Sequence, residues 1–239
     1  MKVSVAVPQG IGAGLVDFAK RAESLGFHGV YCFDHLVPVS DPMRPAMEAT
    51  ASLGAIAAAT EHVVVGSLVL RATLRPPEVT AGIAATLRAV APDRVVVGLG
   101  AGDRTTRREM HRFGLPFPPL AERIGALAAA VAAVQGSGAK AWVGGSHPSV
   151  VEVARQADGW NRWETRTEEP FEPVGWTSWG GRVAPLGDRP DLELGGSGLR
   201  PGLDALGEAG YDEVIASVVP VLDPAALERF AETALAEQR

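Results

Sequence analysis

Short apolar runs rich in β-branched residues alternate with amphipathic or alanine-rich runs along most of the chain. Val3–Val7 reads as a first strand. Leu15–Leu25 carries apolar residues at Leu15, Phe18, Ala19, Ala22 and Leu25, a helical spacing, and Gly26 supplies its C-cap. Gly29–Phe33 is a second strand and Ala46–Thr60 a helix. Val63–Leu70 has no polar alternation beyond Ser67, so both of its faces should be buried. Pro76-Pro77-Glu78 opens a helix that runs to about Val90. Val95–Leu99 is another continuous apolar strand. Leu120–Val134 (helix), Ala141–Val143 (strand), Ser149–Gln156 (helix) and Gly159–Trp163 (strand) follow.

The stretch from Glu164 to Gly198 is rich in Gly, Pro and charge, and its clearest strand signal is Trp176–Val183. Order returns with Leu203–Gly210 as helix, Glu213–Val219 as strand and Ala225–Glu237 as the last helix. Repeated strand–helix units argue for parallel strands with right-handed crossovers. Eight strands suit a closed barrel, so the expectation is α/β class, a (β/α)8 TIM barrel, with residues 1–239 as a single domain. An open doubly wound sheet would place a glycine fingerprint directly after its first strand. Here that strand leads into Pro8-Gln-Gly-Ile-Gly12, which lacks the spacing.

Composition narrows the function. At 239 residues and 46% hydrophobic content the chain can build a large core. A formal net charge of -6 argues against a nucleic-acid surface. The local cluster Arg104, Arg107, Arg108 and Arg112, interrupted by Glu109, reads as a solvated loop. Cys32 is the single cysteine, which leaves no disulfide framework and no Cys-based zinc site; inside an apolar run it reads as a buried packing thiol. With no signal peptide pattern and no membrane-length apolar run, the expectation is a cytoplasmic protein.

Polar residues at strand ends are where a parallel barrel keeps its chemistry. Asp34-His35 ends the second strand; histidine is a residue type suited to acid–base work near neutral pH. The alternative is a capping Asp beside a structurally bonded His. Gly98-Leu-Gly-Ala-Gly-Asp103 ends the strand at Val95–Leu99 and matches neither a Walker loop nor a Rossmann fingerprint. Its glycines would let a flat ring lie against backbone, with Asp103 and Thr106 as polar contacts; a flexible strand exit is equally open.

Ala141-Trp-Val-Gly-Gly-Ser-His-Pro-Ser149 reads as strand, paired-glycine turn and helix start. Close backbone approach and a helix N-terminus offer a place for a phosphate. A tight turn that binds nothing is left open by these residues alone. Trp160, Trp163, Trp176 and Trp179 could wall a planar ligand, but core and rim filling is the commoner use. Without His-Glu-x-x-His, Cys-x-x-Cys or Gly-x-Ser-x-Gly, metalloprotease, dithiol and serine-hydrolase chemistry lack their usual support, and no metal site is expected.

In order and spacing these segments resemble the bacterial luciferase-like superfamily of flavin- and deazaflavin-dependent oxidoreductases. The matching pieces are Phe33-Asp-His-Leu36, Val65-Gly-Ser-Leu-Val-Leu70 with Arg75-Pro-Pro77, and Asp93-Arg-Val-Val-Val-Gly-Leu-Gly-Ala-Gly-Asp103. Arg112-Phe-Gly114, Glu122-Arg123, Trp142-Val-Gly-Gly-Ser146 and Ala157-Asp-Gly-Trp-Asn161 continue the series, and Ala209–Val214 fits less specifically.

The resemblance implies a barrel that binds coenzyme F420, or alternatively FMN, at the C-terminal mouth and acts on a small-molecule substrate. It implies His35 as the active-site acid/base with Asp34 beside it, and a non-prolyl cis peptide within Ser67–Leu70, so that Ser67, Leu68 and Val69 back the ring. Gly102, Asp103 and Thr106 would contact the ring and its side chain, and Gly144, Gly145 and Ser146 the phosphate. Relatives often pair through helices, and Ala46–Thr60 and Ala81–Val90 have side chains small enough for a homodimer contact. The chain departs from the family in its short connections, between Glu122-Arg123 and Trp142 and again after Asn161. The readings carried forward are F420-dependent hydride transfer, FMN-dependent monooxygenation, and a barrel that binds or scaffolds without turnover.

Overall fold

A computed structural model describes residues 2–9, 14–38, 43–162, 193–196, 212–217 and 224–235. The strands are β1 (Lys2–Ala6), β2 (Gly29–Cys32), β3 (Val64–Ser67), β4 (Leu70–Arg71), β5 (Val95–Gly100), β6 (Lys140–Gly144), β7 (Gly159–Arg162), β8 (Glu193–Gly196) and β9 (Glu213–Ser217). The helices are α1 (Leu15–Leu25), α2 (Ala49–Ala59), α3 (Pro77–Val90), α4 (Arg104–Arg112), α5 (Leu120–Gly136), α6 (Pro148–Ala154) and α7 (Pro224–Ala234). Every strand pairing is parallel. β1 pairs with both β2 and β9, and β5 with both β3 and β6, so the sheet closes on itself as a (β/α) barrel with β4 continuing β3.

Strand alternation sorts the side chains into two layers. Val3 and Val5, Val65, Val97 and Leu99, Ala141 and Val143, Trp160, Val214 and Ala216 face the helices and form the large outer core. Ala6, Tyr31, Leu68, Val96, Trp142 and Ile215 fill the inside. Tyr31 and Trp142 stack across the barrel with centroids 6.3 Å apart. Glycines face these rings because nothing larger fits: a methyl at Gly66 would overlap the Tyr31 ring, and one at Gly159 the Trp142 indole. Toward the opposite end from the strand exits, the Ser4 hydroxyl donates to the Glu213 carboxylate across the β1–β9 seam.

Helix ends follow their local chemistry. Gly26 caps α1 in the left-handed region at φ 92°. Pro77 and Pro148 sit in the first turns of α3 and α6. Glu48 caps α2, accepting from the Ala51 N–H and the Thr50 hydroxyl, both at 2.7 Å.

Two expectations change. Val63–Leu70 is not one strand: β3 and β4 are separated by Leu68 and Val69, whose peptide bond is cis and lies inside the segment named for it. Register shows why the strand breaks. Gly66 pairs with Val96 and Leu70 with Leu99, so four steps on one strand face three on the other, which is a bulge. Arg104–Arg112 is a helix, not a loop; its arginines are indeed exposed. The strand between β7 and β9 is Glu193–Gly196, whereas the expected strand Trp176–Val183 and helix Leu203–Gly210, with Trp163, Trp176 and Trp179, lie outside the described residues.

Candidate active site

The C-terminal ends of the strands form one rim, and it carries Asp34 and His35 after β2, Ser67, Leu68 and Val69 at the β3–β4 break, Gly102 and Asp103 after β5, and Gly144, Gly145 and Ser146 at the end of β6. His35 follows β2. Its Nδ1 lies 2.5 Å from Oε1 of Glu109 on α4. Asp103 caps that helix, accepting from the Thr106 N–H at 2.9 Å, and Thr106, Glu109 and Met110 are the face it buries against the barrel. The Glu109 side chain is only 4% exposed, against 24% for His35, so the carboxylate is the inner partner and the imidazole the outer one.

Glu109 is held as an anion. Burial works to raise its pKa, but the hydrogen bond and charge of His35, the Leu36 N–H at 3.0 Å and the Arg71 guanidinium at 3.1 Å together bring it below the ordinary carboxylate range. A carboxylate can only accept, which places the His35 proton on Nδ1 and leaves Nε2 as the nitrogen available to a reacting group.

Asp34 plays a different part. Its Oδ2 accepts from the Arg71 N–H at 2.8 Å, and Arg75 grips both oxygens at 2.8 and 3.0 Å. Its backbone carbonyl takes a further bond from the Arg71 side chain. Arg75 reaches on to Glu48 at 2.7 Å. The chain Glu109–Arg71–Asp34–Arg75–Glu48 therefore ties the exits of β2 and β4 to α2 and α4. With both carboxylate oxygens occupied, Asp34 is an anchor for two arginines.

Ser67, Leu68 and Val69 form the bulge. The Ser67 hydroxyl donates to the Gly98 carbonyl at 2.8 Å, and the Leu68 N–H to the Cys32 carbonyl at 2.7 Å. These bonds turn Val69 inward over Gly98, Gly100 and Gly144. A Cβ added at Gly100 would stand 2.5 Å from a Val69 methyl, and one at Gly144 2.7 Å. The two glycine runs thus meet around one apolar side chain.

Gly102, at φ 77°, leaves β5 in a conformation that favours glycine. Arg123 fixes this exit by donating to the Ala101 and Gly102 carbonyls at 2.7 Å each, while its guanidinium lies 4.3 Å from the Phe117 ring centroid.

Beyond β6, Gly145 has φ 128°, donates its N–H to the Asn161 carbonyl at 2.9 Å and accepts from the Trp160 indole at 2.8 Å. His147 Nδ1 accepts from the Ser149 N–H at 3.2 Å. Two of the amides that the sequence offers to a phosphate are thus engaged within the chain.

The sequence places Arg71 and Asn161 at strand ends but gives neither them nor Glu109 a role in the site. Glu109 carries a faint signal, since Asp103-x-x-Thr106 is a helix start that would place residue 109 on the same face as Thr106. Asn161 is fully buried, with both amide atoms unpartnered among the described residues. Burial with Glu48's charge pushes the Cys32 thiol up to about 12, which fits a packing role. Among the described residues no cluster of His, Cys, Asp and Glu is placed to hold a metal, and no helix is long and apolar enough to cross a membrane.

A family model described as luciferase-like monooxygenase matches residues 3–172. The chain belongs to that family. Among the luciferase-like proteins it is similar to an F420-dependent glucose-6-phosphate dehydrogenase of Beutenbergia cavernae, 39% identical over 122 residues. That match takes in 51% of this chain and only 35% of the relative, so the chain aligns with about a third of the relative's length.

Two solved luciferase-like folds superpose on it. One is an F420-dependent secondary alcohol dehydrogenase in complex with an F420-acetone adduct, with TM-score 0.59, 21% identity, and 67% of this chain and 57% of that chain covered. The other is the monooxygenase RslO1 from Streptomyces bottropensis, with TM-score 0.58, 16% identity, and 100% and 80% covered. At these identities the two structures support the barrel fold.

The mouth suits a flat ring with a polar edge: a bare apolar bulge on one side, glycine-lined backbone around it, and an orphaned buried amide beside it.

Proposed function

We propose that the chain is an oxidoreductase that transfers a hydride between coenzyme F420 and a small hydroxyl- or carbonyl-bearing substrate. The observation that carries this reading is the imidazole of His35 held at the barrel mouth by a buried, ionised Glu109. The names of the relatives, dehydrogenases that use F420, favour the same cofactor and a substrate that interconverts alcohol and carbonyl.

When bound, the deazaflavin ring supplies the hydride chemistry, and the protein supplies orientation and a proton path. His35 Nε2 accepts the hydroxyl proton while the carbon bearing that hydroxyl is oxidised, and returns it in the reverse direction. Glu109 fixes the tautomer and offsets the positive charge that develops on the imidazole. Ser67, Leu68 and Val69 give a ring its back wall. Gly102, Asp103 and Thr106 stand beside it, and Gly144, Gly145 and Ser146 take the phosphate-bearing side chain, with Ser146 as the residue of that turn whose amide carries the contact. Asp34 serves here as the positioning residue for Arg71 and Arg75.

The test is a fluorescence titration of the purified protein with F420 and, separately, with FMN. Saturable quenching of F420 with a dissociation constant in the micromolar range or tighter is the expected result. Quenching of FMN alone would make the chain a flavin enzyme instead, and quenching of neither would leave a barrel without cofactor chemistry.

A further inference from the structure

Asn161 is the polar side chain that the proposed chemistry leaves unused. It is buried completely, and neither its amide oxygen nor its amide nitrogen has a partner among the described residues. A buried amide without hydrogen bonds is costly, and a folded protein that keeps one requires an explanation.

Its place in the barrel supplies one. Trp160 faces the outer layer, so its strand neighbour Asn161 faces the interior. In register, Gly100 stands beside Gly144, Gly144 beside Asn161, and Asn161 beside Gly195. Across β5, β6, β7 and β8, Asn161 is therefore the one side chain at this level, between glycines on both sides. Gly100 and Gly144 are the same glycines that accommodate Val69. The amide thus lies in the layer of the apolar bulge, on the side of the barrel away from His35's strand.

We infer that Asn161 recognises the cyclic imide edge of the cofactor ring, an N–H flanked by two carbonyls. An asparagine amide matches that edge: its oxygen accepts from the ring N–H while its NH2 donates to an adjacent ring carbonyl. The side chain is present in the free protein as an unsatisfied group and is satisfied by the ligand. Paired amide–heterocycle contacts of this type discriminate strongly against a ring that lacks the donor. The inference rests on the cofactor reading above, and both F420 and FMN carry this edge.

Wild type and Asn161→Leu are titrated with F420 and FMN, and then with the N3-methyl derivative of whichever ring binds wild type more tightly. Methylation removes the ring donor. Asn161→Leu is expected to weaken the unmodified ring by about tenfold or more. Methylation is expected to weaken wild type by a similar factor and to leave Asn161→Leu little changed, because the lost contact is the same one. Equal binding of the unmodified ring by the two proteins overturns the inference while the cofactor reading stands. So does an undiminished effect of methylation in Asn161→Leu. If wild type binds neither ring, the cofactor reading fails and takes this inference with it.

Thermal unfolding without ligand gives an independent readout. Replacing an unsatisfied amide with an apolar group of similar shape should hold or raise the midpoint. A midpoint lowered by several degrees would show that the amide is already bonded within the free chain, and would overturn the inference.

Discussion

Replacing Glu109 by Gln tests whether the His35 site rests on a buried charge. The substitution keeps the shape and one acceptor oxygen but removes the anion. Three groups lose their anionic partner: the His35 imidazole at 2.5 Å, the Leu36 N–H at 3.0 Å and the Arg71 guanidinium at 3.1 Å. Arg71 matters most, because its side chain is 4% exposed and would keep only the Asp34 carbonyl and the more distant Asp34 carboxylate, 3.8 Å from its Nε.

Removing one partner of a buried pair costs about 3–5 kcal/mol. Gln retains part of the hydrogen bonding, so about 3 kcal/mol is expected, which lowers the midpoint by about 6–12 °C for a chain of this length. The carboxyl is held below its ordinary value of 4.5 in the folded state. Its contribution is therefore complete above the unfolded value and disappears as pH falls through the depressed folded one. The gap between wild type and Glu109→Gln should be constant near neutrality and close on acidification below about pH 4.5. Thermal unfolding by circular dichroism across this range measures both. A midpoint within about 2 °C of wild type at pH 7, or a gap that stays constant into acid, would refute the account.

Three further outcomes are expected. His35→Ala should reduce turnover of a hydroxyl-bearing substrate by about 10²-fold or more while F420 affinity changes little; equal losses in steady-state rate and fluorescence titration would mean that His35 only shapes the pocket. Gly66→Ala should destabilise the barrel by about 1–3 kcal/mol in a urea melt, since the added methyl overlaps the Tyr31 ring, and an unchanged melt would contradict the described packing. Cys32, buried and with its thiol pushed up to about 12, should resist a thiol-specific reagent in native buffer and react at once in denaturant; prompt native labelling would contradict its burial.

The barrel was legible because its strands are buried on both faces. Continuous runs such as Val63–Leu70 and Val95–Leu99 suit parallel strands covered on both faces. That same continuity hid the break at Leu68 and Val69, since a bulge is set by register against β5, and register is not written in hydrophobicity. α4 was illegible for the opposite reason. Its buried face includes Thr106 and Glu109, so no apolar stripe marks it. β8, Glu-Leu-Gly-Gly, lacks the β-branched residues that signal a strand.

Within the site, His35 and the glycine runs could be found locally because each has a reason to lie at a strand end. Glu109 could not, as it is 74 positions from the imidazole it holds. Asp34, prominent beside His35, is engaged by Arg71 and Arg75, and only the fold reveals those bonds. Asn161 passed for part of a family segment until register set it among glycines.

The seam between β1 and β9 joins residues about two hundred positions apart. Lys2 donates to the Asp212 carbonyl there at 2.9 Å, and Phe27 stacks on Phe230 outside it at 5.7 Å. A ribosome delivers the first of these strands long before the last. Until residues 213–217 have emerged, the nascent sheet keeps an open border on β1, with backbone donors and acceptors ready to pair with any extended neighbour. Shielding that border during synthesis is a task that this topology hands to the cell.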